Sequence, residues 1–127
     1  MLPVIYSDEF LEHKTGRGHP ERPERLSAIT AALREGNIAS QIEWRLPTPT
    51  SGRSLVPLIE QTHDPSYIQK VQEICSAGGD CIDYETTVSS QTYDVALLAV
   101  SAWLDGGDIV LETGKPGFVL GRPPGHH

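Results

Sequence analysis

The 127-residue sequence predicts an α/β layer built on a parallel sheet. Three observations predict it. Short β-rich runs alternate with helical periodicities, the last apolar run occupies consecutive residues, and Pro/Gly-rich loops follow the strands. In such folds chemistry gathers in the loops beyond the carboxyl ends of the strands. Three loops have that place: the one after Tyr6, the one after Leu46, and Gly121 to His127.

The elements follow in order. Leu2-Pro3-Val4-Ile5-Tyr6 is a short β-rich run, and Pro3 suits a strand start or an edge. From Ser7 to Arg22 the chain is polar and irregular, with Gly16, Gly18 and Pro20. A helix begins near Pro23, placed like an N1 proline; Leu26, Ile29 and Leu33 form its apolar stripe, and Gly36 ends it. Gln41 to Leu46 alternates polar and apolar side chains and reads as a strand closed by Pro47 and Pro49. Ser54 to Gln61 predicts a short helical turn. Asp64-Pro65 is a helix start, with Asp as N-cap and Pro at N1. Ile68, Val71 and Cys75 then share a face until Gly78-Gly79. Ser89 or Ser90 caps the next helix, in which Val95, Leu98, Ala99 and Ala102 pack inward and Gly106-Gly107 terminates it. Asp108 to Leu111 either extends that helix or turns toward the next strand. Phe118-Val119-Leu120 predicts a strand buried on both faces.

Composition narrows the function classes. The formal net charge of −7 disfavours nucleic acid as main partner, because phosphate binding needs a positive stripe. Met1 to Glu9 carries no basic segment before a long apolar run, and Val95 to Leu104 is too short to span a membrane. The expectation is a cytoplasmic protein without membrane contact. Cys75 and Cys81 could form one disulfide, but the expected state is two free thiols with no functional role. No internal repeat or linker divides the chain.

Two stretches stand out chemically. Arg122-Pro123-Pro124-Gly125-His126-His127 places two imidazoles on a stiff loop directly after a buried strand. Histidine has the side-chain pKa nearest neutrality, so a fixed pair can take up and return protons. The sequence stops on the second imidazole, which reads as a segment cut inside an active-site motif. His19-Pro20-Glu21-Arg22-Pro23-Glu24-Arg25 leads into a helix. Its acids suit the positive helix end. Its cations, Arg22 and Arg25, do not, and a buried guanidinium bound to backbone carbonyls or to a carboxylate product would explain them. His63 reads as a helix-entry residue bonded to backbone. Asp80, Asp83 and Glu85 form either a solvated loop or a pocket rim where a carboxylate accepts backbone N–H groups. The five histidines His13, His19, His63, His126 and His127 do not supply a complete zinc site by spacing.

Arg122 to His127 resembles the histidine-pair motif of zinc-dependent histone deacetylases, in particular the class II branch with bacterial deacetylase-like amidohydrolases and acetylpolyamine hydrolases. His19 to Arg25 resembles the family's first active-site loop, Thr62 to Tyr67 a helix entry, and Tyr93 to Trp103 the helix before the histidine motif. The resemblance covers essentially the whole chain. It implies the three-layer α/β/α arginase/deacetylase-like fold with a central parallel sheet, of which residues 1–127 form an incomplete N-terminal portion. It implies hydrolysis of an acetyl-amide, in an acetylated protein or a small molecule such as an acetylpolyamine, with zinc polarising the carbonyl. His127 then matches the general base and acid, and His126 its electrostatic partner. Arg25 matches the arginine lining the cavity beneath the metal, and Asp83 the rim aspartate that grips the substrate, with Asp80 and Glu85 as neighbouring alternatives. Zinc ligands are expected beyond residue 127, so the segment alone should be inactive. The alternatives are a non-catalytic binding remnant of the same fold and an arginase-like metallohydrolase. Oligomeric state is open.

Overall fold

The computed structural model describes residues 1–125; His126 and His127 lie outside the described residues. Strands β1 (Leu2–Ile5), β2 (Ile42–Arg45) and β3 (Phe118–Val119) form a parallel sheet of order β2-β1-β3. Val4 lies opposite both Trp44 and Phe118. A parallel pair needs a long crossover. Helix α1 (Glu24–Glu35) lies in the first; α2 (Leu55–Ile59), α3 (Pro65–Ser76) and α4 (Thr92–Thr113) lie in the second.

The sheet explains how a proline enters its middle strand. Tyr6 N–H donates to Arg45 and Leu120 N–H donates to the Ile5 carbonyl, both at 3.0 Å. Even-numbered residues of β1 therefore bond toward β2 and odd-numbered ones toward β3. Pro3 is odd-numbered, and pairing with β3 begins only at Val4, so its missing N–H leaves no gap in the ladder.

The core joins the sheet to α1 and α4: Val4, Ile5, Tyr6, Leu26, Ile42, Val95, Leu98, Ala102 and Leu120 are all buried. Phe10 joins them from a 3₁₀ turn over Asp8–Glu12, inside the stretch that the sequence pattern marks only as irregular. Ser7 caps that turn by accepting the Glu9 N–H at 3.2 Å. The Asp64 cap on α3 is present, with its Oδ1 accepting from Ser66 N–H at 2.8 Å and Pro65 in the first turn.

Four sequence expectations change. Pro23 is the N-cap residue of α1, one position before N1. The cap of α4 is Gln91, with no side-chain cap bond, in place of Ser89 or Ser90. Gly106-Gly107 does not end α4; the helix continues through Asp108–Leu111 to Gly114, which takes the left-handed φ of 66°. Tertiary packing overrides local propensity there. A Cβ on Gly106 would meet Val119 Cγ2 at 2.7 Å, so glycine is what lets α4 lie this close to β3. The fourth change is in β3, which is an edge strand in the described residues and leaves Phe118 43% exposed. Leu120 is buried as expected.

Gly107 faces open space on the same helix. Gly107→Ala is therefore expected to stabilise the fold by about 1 kcal/mol through helix propensity. Gly106→Ala should lose that gain to the clash with Val119. Urea denaturation of both variants checks this, and equal stabilisation would contradict the packing account.

Candidate active site

The loops after β1 and β3 meet the 19–25 motif at the carboxyl end of the sheet, around one guanidinium. Arg122 is wholly buried. Its Nε and Nη2 donate to Glu21 Oε1 and Oε2 at 2.7 and 2.8 Å, a two-pronged pair. Its Nη1 donates to the carbonyls of Phe10 at 3.1 Å and His13 at 2.8 Å. A buried charge is tolerated only when paired and hydrogen-bonded in this way. Glu21 and Arg122 are 101 residues apart in sequence, so this pair fastens the first motif to the loop that leads to His126 and His127. The Arg122–Pro123 peptide is cis.

The buried-guanidinium expectation thus attaches to a different residue. The side chains of Arg22 and Arg25 are 53% and 50% exposed, paired with Glu24 at 3.8 Å and Glu21 at 3.1 Å. Arg25, in the first turn of α1, lies four residues beyond Glu21 and reaches it from outside. Arg122 follows buried Leu120 and enters from inside, where the Phe10 and His13 carbonyls await a donor.

His13 completes the cluster. The residue is 4% exposed; Nδ1 lies 2.9 Å from Thr92 Oγ1, and Nε2 lies 3.6 Å from Glu21 Oε2. Burial, then the Arg122 charge, push the imidazole down to about 4, against the pull of Glu21. A neutral ring suits this place, accepting at Nδ1 and presenting Nε2–H to Glu21. Burial pushes the Glu21 carboxyl up, but the Arg122 hydrogen bond and charge outweigh it, with His13 and Arg25 adding to the effect. The net is a carboxyl below its ordinary range.

These shifts set a pH dependence. An unfolded His13 takes its proton near 6.5, whereas the folded one resists until about 4. Between those values the unfolded chain binds more protons, so stability falls as pH falls, by about 3 kcal/mol at most. The depressed Glu21 carboxyl acts in the same direction. Urea midpoints at pH 7, 6 and 5 should fall, and His13→Gln should flatten the slope; an equal slope in that variant would contradict the assignment.

The first motif also reaches a second loop. His19 Nδ1 accepts the Glu21 N–H at 3.1 Å, which leaves Nε2 to donate to the Glu85 carbonyl at 3.0 Å. Glu85 belongs to a closed hairpin between α3 and α4. Val88 N–H to Asp80 closes its base at 2.8 Å, and an isolated bridge pairs Cys81 with Thr87. Gly79 holds φ at 87° and comes so near Val88 and Ser89 that a Cβ would lie 2.4 Å from the Val88 oxygen. Asp83, Tyr84 and Glu85 form the tip, with Asp83 Oδ1 accepting the Glu85 N–H at 2.9 Å. Asp80 sits at the base and caps the Cys81 N–H.

Of the residues singled out from sequence, Arg25 and Glu21 thus gather beside Arg122, His19 is bonded to the Glu21 N–H, and Asp83 stands on a hairpin bonded to His19. His126 and His127 lie outside the described residues. His63 stands apart, donating its backbone N–H to Ile59 and stacking on Tyr67. Cys75 and Cys81 are free thiols. The sequence carries no signal for the buried roles of Arg122 and His13, whose partners are distant along the chain, or for the anchoring of the loop after β2. There, Asp105 of α4 accepts from Thr48 N–H, Thr48 Oγ1 and Arg53. Among the described residues no group of three or more His, Cys, Asp or Glu side chains is placed to hold a metal ion, and no helix is long and apolar enough to cross a membrane.

Fold and site define a class: parallel α/β proteins whose polar machinery sits on loops at the carboxyl end of the sheet. A family model described as the histone deacetylase domain matches residues 19–127. The chain belongs to the histone deacetylase family. It is 49% identical over its full length to an uncharacterised protein of Synechocystis, covering 41% of that protein. It is 33% identical over 98% of its length to a protein of Archaeoglobus fulgidus named "Probable deacetylase", covering 34% of it. The crystal structure of the HDA15 HD domain matches the fold with a TM-score of 0.82, over 99% of this chain and 37% of that one, at 24% identity. The chain therefore spans about two fifths or less of the length of these relatives.

Proposed function

We propose that residues 1–127 are the N-terminal portion of a single deacetylase domain that hydrolyses acetyl-amides, and that they supply its proton-transfer loop. The observation that supports this most is the buried Arg122–Glu21 pair. It ties two of the four stretches that carry the family resemblance into one unit, as a loop presenting paired imidazoles requires. In this reading water adds to the acetyl carbonyl, the C–N bond breaks, and acetate and a free amine leave. His127 takes the proton from water and returns it to the leaving amine. His126 stabilises charge on the reacting oxygen. Arg25 faces the departing acetate, and Asp83, with Asp80 and Glu85 as alternatives, grips the substrate backbone.

Zinc is the family's metal and supplies carbonyl polarisation and an acidified water. The described residues do not make a site for it, and its ligands are proposed to come from outside 1–127. The substrate is an acetylated protein or a small acetyl-amide such as an acetylpolyamine.

The experiment is acetate release by the protein at the length of its relatives, from an acetyl-lysine peptide and from an acetylated polyamine. Release from at least one is expected. Release from neither, with zinc bound and the protein folded, would overturn the reading.

A further inference from the structure

The hairpin over 80–88 is closed upon itself at its base, yet its tip is joined to the first motif by the His19 hydrogen bond to the Glu85 carbonyl. That bond is specific in direction. The Glu21 N–H occupies Nδ1, so the ring presents its one hydrogen at Nε2, and a carbonyl is the partner that fits. The same Glu21 holds Arg122 through its side chain. The backbone of the first motif therefore connects toward the tip that carries Asp83 and Tyr84, while its carboxylate connects toward the histidine loop. Tyr84, fully exposed beside Asp83, offers an aromatic face to anything the tip contacts.

We infer that His19 is a positioning residue for substrate binding: through the Glu85 carbonyl it holds the Asp83–Tyr84 tip in register with the reaction loop. The inference rests on the deacetylase reading for the identity of the substrate and on the hydrogen bonds alone for the clip. It assigns the two arms of the first motif separate kinetic effects. Loosening the tip weakens the grip on substrate, a KM effect, because Asp83 is assigned to binding the substrate backbone and His127 to the proton transfer. Loosening the Arg122 arm displaces the proton-transfer loop, a kcat effect.

The test uses the protein at the length of its relatives, with an acetyl-lysine peptide as probe. His19→Phe keeps a ring and removes both nitrogens; His19→Gln retains a side-chain donor. His19→Phe is expected to raise KM about tenfold with kcat within about twofold of wild type, the effect of one hydrogen bond. His19→Gln should recover part of the loss, and Arg122→Lys should show the reverse split. Amide hydrogen exchange is the second readout. In His19→Phe, residues 80–88 should exchange faster while α1 and α4 exchange as in wild type. Unchanged exchange at 80–88 in a folded His19→Phe protein would overturn the clip whatever the kinetics. A fall in kcat at constant KM would instead place His19 in the chemistry and overturn the division of roles. A wild type that releases no acetate would sink the deacetylase reading, and a clip then confirmed by exchange would stand without its substrate role, overturning the inference as stated.

Discussion

His127→Ala in the protein at the length of its relatives is expected to remove nearly all turnover while leaving its zinc content intact. The residue is assigned proton transfer rather than ligation, and losing a positioned general base costs about 10²–10⁴-fold in rate. His126→Ala should impair turnover less, since its assigned work is electrostatic. Arg25→Ala should slow turnover without releasing metal, because its guanidinium is one of the charges at Glu21 and is assigned to the product side. Metal analysis beside steady-state kinetics on the three variants is the check. Loss of zinc in His127→Ala would make that residue a ligand, and wild-type rates in both histidine variants would remove the pair from the active site.

Arg122→Met is expected to destabilise the fold by about 3 kcal/mol. Removing one partner of a buried pair leaves an uncompensated charge, at a cost of about 3–5 kcal/mol. The lower end applies because the Glu21 side chain remains 20% exposed and keeps Arg25 beside it. The Phe10 and His13 carbonyls also lose their shared donor. Arg25→Ala removes a half-exposed partner from the same carboxylate and should cost less than about 1 kcal/mol. Urea denaturation at pH 7 separates the two. Similar small losses would mean that solvent, rather than Arg122, compensates Glu21.

The contrast between those two arginines shows what was legible in the sequence. The motif at 19–25 poses a local puzzle, cations beside a positive helix end, and a buried guanidinium is a sound answer to it. The guanidinium that is buried lies 101 residues away, because burial is decided by which side chain follows a core strand inward. No spacing rule carries that information. His13 is hidden for the same reason: its partners, Thr92 and Glu21, come from α4 and the first motif. Asp64-Pro65 was legible because a cap and its first turn are neighbours in sequence. The parallel sheet was legible because alternation of strands and helices leaves few other layerings. Gly106-Gly107 misled because a glycine pair signals a helix end locally, whereas here one glycine makes room for β3. The tip residues Asp83 and Glu85 were visible only as acids; the His19 bond that gives the hairpin its bearing depends on the folded chain.

Glu21 and Arg122 act as one unit joining the first motif to the loop after β3. A double-mutant cycle with Glu21→Gln, Arg122→Met and the pair together, read on urea stability and on kcat, measures that coupling. Strong coupling is expected, with the double variant costing little more than Arg122→Met alone and an interaction energy of about 2 kcal/mol or more. Single effects that add to within about 0.5 kcal/mol would contradict it, since independent residues behave that way.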